Sequence, residues 1–78
     1  MDVYISTIML WPTQWFPSGW APCNGQLLPV RGNEPLFSLI GSRYGGDGQV
    51  NFALPKLASP GPGLTYIIAV QGLYPPRD

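Results

Sequence analysis

The side chains able to do covalent or acid–base chemistry are few in this chain of 78 residues. There is one cysteine, Cys23, and no histidine. A reactive thiolate needs a neighbouring base or an electropositive setting, and without an imidazole Cys23 reads as a small buried hydrophobe. The serines Ser6, Ser18, Ser38, Ser42 and Ser59 lack the same partner for a triad. The acids are Asp2, Glu34, Asp47 and Asp78, and nothing in their spacing brings two of them together as an acid/base pair. With no histidine and one cysteine, the ligand count argues against a structural zinc site. The run Gly45-Gly46-Asp47-Gly48 invites a phosphate or calcium reading. A phosphate loop needs Lys-Ser/Thr after its glycines, whereas Gln49-Val50-Asn51 follows. A calcium loop needs several acids at fixed spacing, and one is present. These four residues, like Asn24 and Gly25, are read as structural turns. The sequence therefore points to no catalytic residue, no cofactor and no metal: a protein that is not an enzyme.

The aromatic side chains remain. Trp11, Trp15, Phe16 and Trp20, with Asn24 and Gln26 nearby, would suit a sugar-stacking platform. In so small a domain, three tryptophans more often serve the core or a subunit contact.

The elements that must position these groups are short. Residues 3–11 carry β-forming side chains on both faces and stop at Pro12. Proline and glycine punctuate residues 12–19, a loop. Residues 20–30 read as a β-hairpin turning at Asn24-Gly25, whose type I′ turn places both central residues at positive φ. Asn33 caps a helix over Glu34–Ile40, with Pro35 in its first turn and Gly41 beyond its end. After the glycine loop come Phe52, Leu54 and Leu57, then the breaker-rich Ser59-Pro60-Gly61-Pro62-Gly63. Residues 64–73 form a last strand, with Tyr66, Ile68 and Val70 on one face and Ile67 and Ala69 on the other. The fold class is α+β: a small, mostly-β domain with a β-hairpin, one short helix and long Pro/Gly-rich loops. Residues 1–57 make one module, 58–63 a connector, and 64–78 a C-terminal strand and tail belonging to the same domain.

Composition says what such a domain needs. A chain of this size buries only about 60% of its unfolded surface and usually needs disulfides, a metal or oligomerisation. One cysteine forms no internal disulfide, which leaves oligomerisation. Charged residues make up 10% of the chain, against about 25% in typical domains, and aromatic residues 13%. Charge depletion with aromatic enrichment marks an interface core. The expected self-assembly interface comprises Tyr4, Ile8, Trp11, Trp15, Phe16, Tyr66, Ile68, Val70, Leu73 and Tyr74. A net charge of zero without a basic cluster argues against nucleic acid. No stretch reaches the 18 apolar residues of a membrane span, and Met1-Asp2-Val3-Tyr4 lacks the basic start of a Sec signal peptide. No Asn-x-Ser/Thr acceptor is present, so any sugar on the Ser/Pro/Gly connector would be O-linked.

Several ordered motifs together resemble the phage tail-collar domain, found also in microcystin-dependent proteins. The run from Phe16 through Trp20-Ala21-Pro22-Cys23-Asn24-Gly25-Gln26 to Leu28 is one. Asn33-Glu34-Pro35-Leu36-Phe37 through Tyr44-Gly45-Gly46-Asp47-Gly48 is the second, and Phe52-Ala53-Leu54-Pro55 the third. Met1-Asp2-Val3-Tyr4-Ile5 resembles the usual start, and residues 66–77 the C-terminus of longer members. The variable region between the Leu-Pro motif and that ending is reduced to residues 58–63, and Lys56-Leu57-Ala58-Ser59 stands where Asp-Leu-Arg-Gly is usual. The resemblance implies a structural collar module of trimeric tail fibres or related secreted assemblies, without enzyme activity and, here, without the distal recognition surface.

The expectation is a self-assembling subunit of a phage-tail-like fibre or extracellular filament, located in a virion tail or outside the cell. Its partners are copies of itself, as a homo-oligomer or helical filament, and other tail or fibre proteins. The first or last strand would pair with an exposed sheet edge on a neighbour. The alternative is a receptor- or glycan-binding module of a tail fibre, with a surface glycan as partner.

Overall fold

The computed structural model describes residues 3–76. Met1 and Asp2 of the family-like start, and Arg77 and Asp78 of the tail, lie outside the described residues. Five strands and one helix follow in the order β1 (Ile8–Trp11), β2 (Trp20–Pro22), β3 (Leu27–Pro29), α1 (Glu34–Ile40), β4 (Asn51–Ala53) and β5 (Thr65–Ala69). The strands form two antiparallel sheets, β1-β5-β2 and β3-β4. This is the mostly-β α+β class that the sequence implies.

The hairpin expected over residues 20–30 does not form. Its arms belong to different sheets: Ala21 pairs with Ile68 in β5, and Leu28 pairs with Phe52 in β4. Cys23 sits at the changeover. Its amide donates to the Tyr66 carbonyl (2.9 Å), and its carbonyl accepts from the Leu57 amide (3.0 Å). From there the chain runs antiparallel to residues 50–57. Gly25 N–H donates to Pro55 O, Leu54 N–H to Gln26 O and Val30 N–H to Val50 O, and Asn24 bridges Lys56. The Asn24-Gly25 step is not type I′ either. Gly25 has φ 81, while Ser6 is the one non-glycine at positive φ among the described residues. The Asn24 side chain instead accepts the Gln26 amide at 3.0 Å. A turn signal is local, whereas pairing partners are chosen by burial along the whole chain.

The first strand is also shorter than expected. Thr7 N–H donates to Tyr4 O, closing a turn in which Ser6 adopts φ 77. Ser6 and Thr7 both face Ala69: Ser6 N–H donates to Ala69 O, and Ala69 N–H to Thr7 O. This is a β-bulge whose left-handed position glycine usually fills. Beyond it, residues 3–5 cross to the C-terminal segment. Leu73 N–H donates to Val3 O and Ile5 N–H to Leu73 O, both at 2.8 Å.

The helix spans the residues read from the sequence. Pro35 fits its first turn, where amides have no intrahelical acceptor. Asn33 does not cap it by side chain; its Nδ2 donates to Pro29 O at 2.9 Å. Gly41, at φ 59, returns its amide to Phe37 O at 2.7 Å.

Leu36, Phe52, Leu54 and Ile68 pack with Ile5 and Cys23 as the core between the sheets and the helix. Phe37 joins from α1, its ring centroid 5.2 Å from that of Phe52. Each fully buried side chain of this size contributes about 1.5–3 kcal/mol.

Candidate interaction surface

β5 runs down the middle of its sheet, with β1 on one side and β2 on the other. Both of its edges are occupied, which corrects the expectation that the last strand is free to pair with a neighbour. β1, at the end of the strand order, keeps one edge open. Thr7 and Ala69 exchange a backbone hydrogen bond, so alternation along an antiparallel ladder directs the amides and carbonyls of Ile8 and Leu10 outward. Both side chains are exposed, and they share the face of their cross-strand partners Ile68 and Tyr66. No charged residue lies within the four residues Ile8–Trp11, and the bulge at Ser6-Thr7 before them and Pro12 after them confine the open edge to this short stretch.

The expected interface residues divide. Tyr4 and Leu73 are exposed and bridge each other in parallel. Tyr74 is exposed, and its hydroxyl lies 2.7 Å from Ser38 Oγ, fastening the tail to α1. Ile8 is exposed on β1. Trp11 and Phe16 are half-buried. Tyr66 and Val70 are half-buried against the core. Ile68 is 1% exposed and must be taken off the interface: its own chain covers it. Sequence reading passed over Leu10, Leu27, Tyr44, Val50 and Leu57, which are also exposed. For Leu10 a signal existed, the two-residue alternation with Ile8.

Trp15 stands apart at 87% exposed. Its backbone is held all the same. The Trp11 indole Nε1 donates to Trp15 O at 2.8 Å, Thr13 Oγ1 donates to the same carbonyl at 3.1 Å, and Trp15 N–H donates to Thr13 Oγ1 at 3.3 Å.

A cavity of about 430 Å³ opens where the chain leaves one sheet for the other, lined by Cys23, Asn24, Lys56, Leu57, Leu64 and Tyr66 among others. Its wall is mainly apolar. Cys23, one of the lining residues, is buried, and burial pushes its thiol pKa up, which leaves it protonated and a poor nucleophile.

The glycine loop is organised by Asp47. One carboxylate oxygen accepts the amides of Gln49, Val50 and Asn51 at 2.8, 2.9 and 3.1 Å. Those donors hold its carboxyl below the usual range. Asn51 Oδ1 in turn accepts the Asp47 amide at 3.0 Å. Gly46, at φ 85, lies so close to Phe52 that a Cβ there would meet Phe52 Cα at 2.6 Å. The loop thus serves to seat Phe52. Among the described residues no cluster of three or more metal-ligating side chains occurs, and no helix is long and apolar enough to cross a membrane.

A family model described as the phage tail collar domain matches residues 6–60. No curated protein and no solved structure matches the chain.

Proposed function

The chain belongs to the phage tail collar domain family, and from that premise we propose that it is a self-assembling structural subunit of a phage-tail-like fibre or extracellular filament. The collar domain is a structural tail-fibre domain. Attachment to further copies is the finer reading, and one observation carries it: ten large apolar or aromatic side chains stay exposed on this small molecule. Eight charged residues are spread over the whole chain, too few to keep that exterior wet. Neighbouring copies cover it.

The open edge of β1 supplies one contact. Backbone pairing along Ile8–Trp11 gives affinity, and the exposed Ile8 and Leu10 side chains set register. Sedimentation velocity of the intact chain and of Ile8→Lys tests this. A lysine on an edge strand blocks edge-to-edge pairing, so the variant should sediment as smaller species. An unchanged distribution would remove β1 from the contact.

A second reading is favoured by Trp15, an exposed ring on a fixed loop. In it, the ring stacks on a receptor glycan. Glycan binding that Trp15→Ala abolishes while assembly persists would select this reading over the first.

A further inference from the structure

We propose that β1 pairs with β1 of a second copy, antiparallel and about a two-fold axis through Met9, so that Ile8 of each copy stands opposite Leu10 of the other. The proposal rests on the assembly reading above and names the partner of its β1 edge.

A sheet edge pairs only with backbone groups that are still free. In β2, Val70 N–H donates to Gly19 O and Cys23 N–H to Tyr66 O, so alternation turns Trp20 and Pro22 outward. Trp20 N–H donates to Pro17 O at 3.1 Å, and Pro22 O accepts from Asn24 N–H at 3.0 Å. Pro22 has no N–H of its own. In β4, Asn51 and Ala53 face outward. Asn51 N–H donates to the Asp47 carboxylate and Ala53 N–H to Gly45 O, both at 3.1 Å, while Asn51 O accepts from Gly48 N–H at 2.9 Å. In β3 the outward positions are Leu27 and Pro29, and Pro29 O accepts from Asn33 Nδ2. Only the Leu27 amide is left on these edges. β1 differs. The amides of Ile8 and Leu10 both point outward, and neither takes a partner among the described residues. Among the described residues β1 is therefore the one strand edge with two successive open amides. The edge that matches it in a second copy is β1 itself.

The flanks of the strand fix the register. With Ile8 opposite Leu10, both symmetric pairs exchange their two N–H···O bonds. A slip one way brings Pro12 opposite Ile8, with no amide to give. A slip the other way brings Leu10 opposite Ser6, whose N–H already donates to Ala69 O in the bulge. Opposite residues share a face, so the exposed Ile8 and Leu10 side chains of the two copies cover each other. The strand is already ordered by its ladder with β5, so docking orders little further backbone. An edge of four residues buries less than the roughly 1,200 Å² of a stable interface, which makes the contact a reversible one. It closes on two copies, in the strand order β2-β5-β1-β1-β5-β2, and a longer fibre needs a second surface.

The test uses the intact chain, Ile8→Lys, Leu10→Glu and the double variant. Both positions are exposed and lie outside the core, so the variants should fold, as thermal melts would verify. By sedimentation equilibrium at high protein concentration, each single variant should pair about tenfold more weakly than the intact chain, because each change enters the symmetric contact twice. An equimolar mixture of the single variants should recover pairing, since the new ammonium of one copy faces the new carboxylate of the other. The double variant should recover it alone and lose it again in high salt. If the single variants pair as the intact chain does, β1 is not in the contact: the proposal falls and the assembly reading stands on another surface. If they are weakened but neither the mixture nor the double variant recovers, β1 meets some surface other than β1 and the proposal falls again. If the intact chain is monomeric at every concentration, both readings fall together.

Discussion

β1 and β5 lie side by side in one sheet and live in different environments. In β5, Ile67, Ile68 and Ala69 are fully covered, with a strand hydrogen-bonded on each side. In β1, Ile8 and Leu10 are exposed and one backbone edge is open. Both are apolar, β-forming segments. Apolarity in β5 serves the stability of the single chain. In β1 it exceeds what the single chain buries, and that excess is the surface the proposed assembly would cover. A position in the strand order, rather than a residue type, separates the two roles.

Matched truncations should break the symmetry of this pair most visibly. Ile68→Ala should cost about 2–5 kcal/mol by denaturant unfolding, enough to unfold much of so small a domain. Ile8→Ala, its cross-strand partner, should cost under about 1 kcal/mol. Equal losses at the two positions would mean that β1 is as enclosed as β5. Gly46→Ala should fall next, at about 1–3 kcal/mol. It forces a side chain onto Phe52 Cα and onto a left-handed backbone, and so attacks the closed side of the molecule through its loop.

Acid sharpens the same contrast. The Asp47 carboxyl is lowered by its three amide donors. A group whose pKa is depressed on folding contributes stability above its unfolded value, about 3.9, and that contribution is lost as pH falls through the folded value. The glycine loop should therefore loosen only below about pH 4, and Asp47→Asn should flatten the acid side of a stability–pH profile. Association through β1 involves no titrating side chain in Ile8–Trp11, so an assembly midpoint that follows Asp47 would connect the two regions.

Much of this was legible in local chemistry. Pro35 and Gly41 bracket α1, and the two-residue alternation of Tyr66, Ile68 and Val70 against Ile67 and Ala69 assigns the faces of β5. The partners of each strand were not legible. Asn24-Gly25 carries a hairpin signal, yet the chain changes sheets at Cys23, and the two arms pair with the buried β5 and β4 instead of with each other. The bulge at Ser6 was hidden because a serine occupies a position that glycine normally announces. Of the aromatic residues that composition pointed to as a contact surface, Tyr4, Trp15, Tyr44 and Tyr74 are exposed, whereas Phe52 is buried. Composition did not separate the exposed Trp15, whose backbone carbonyl accepts from the Trp11 indole, from the half-buried Trp11 and Trp20, nor did it show that Ile68 belongs to the core.

Sedimentation equilibrium of the intact chain across a wide concentration range tests the central claim most directly. The expected result is a weight-average mass that rises with concentration above the 8.5 kDa of one chain. A mass that stays at one chain up to the highest concentration reached would contradict the account.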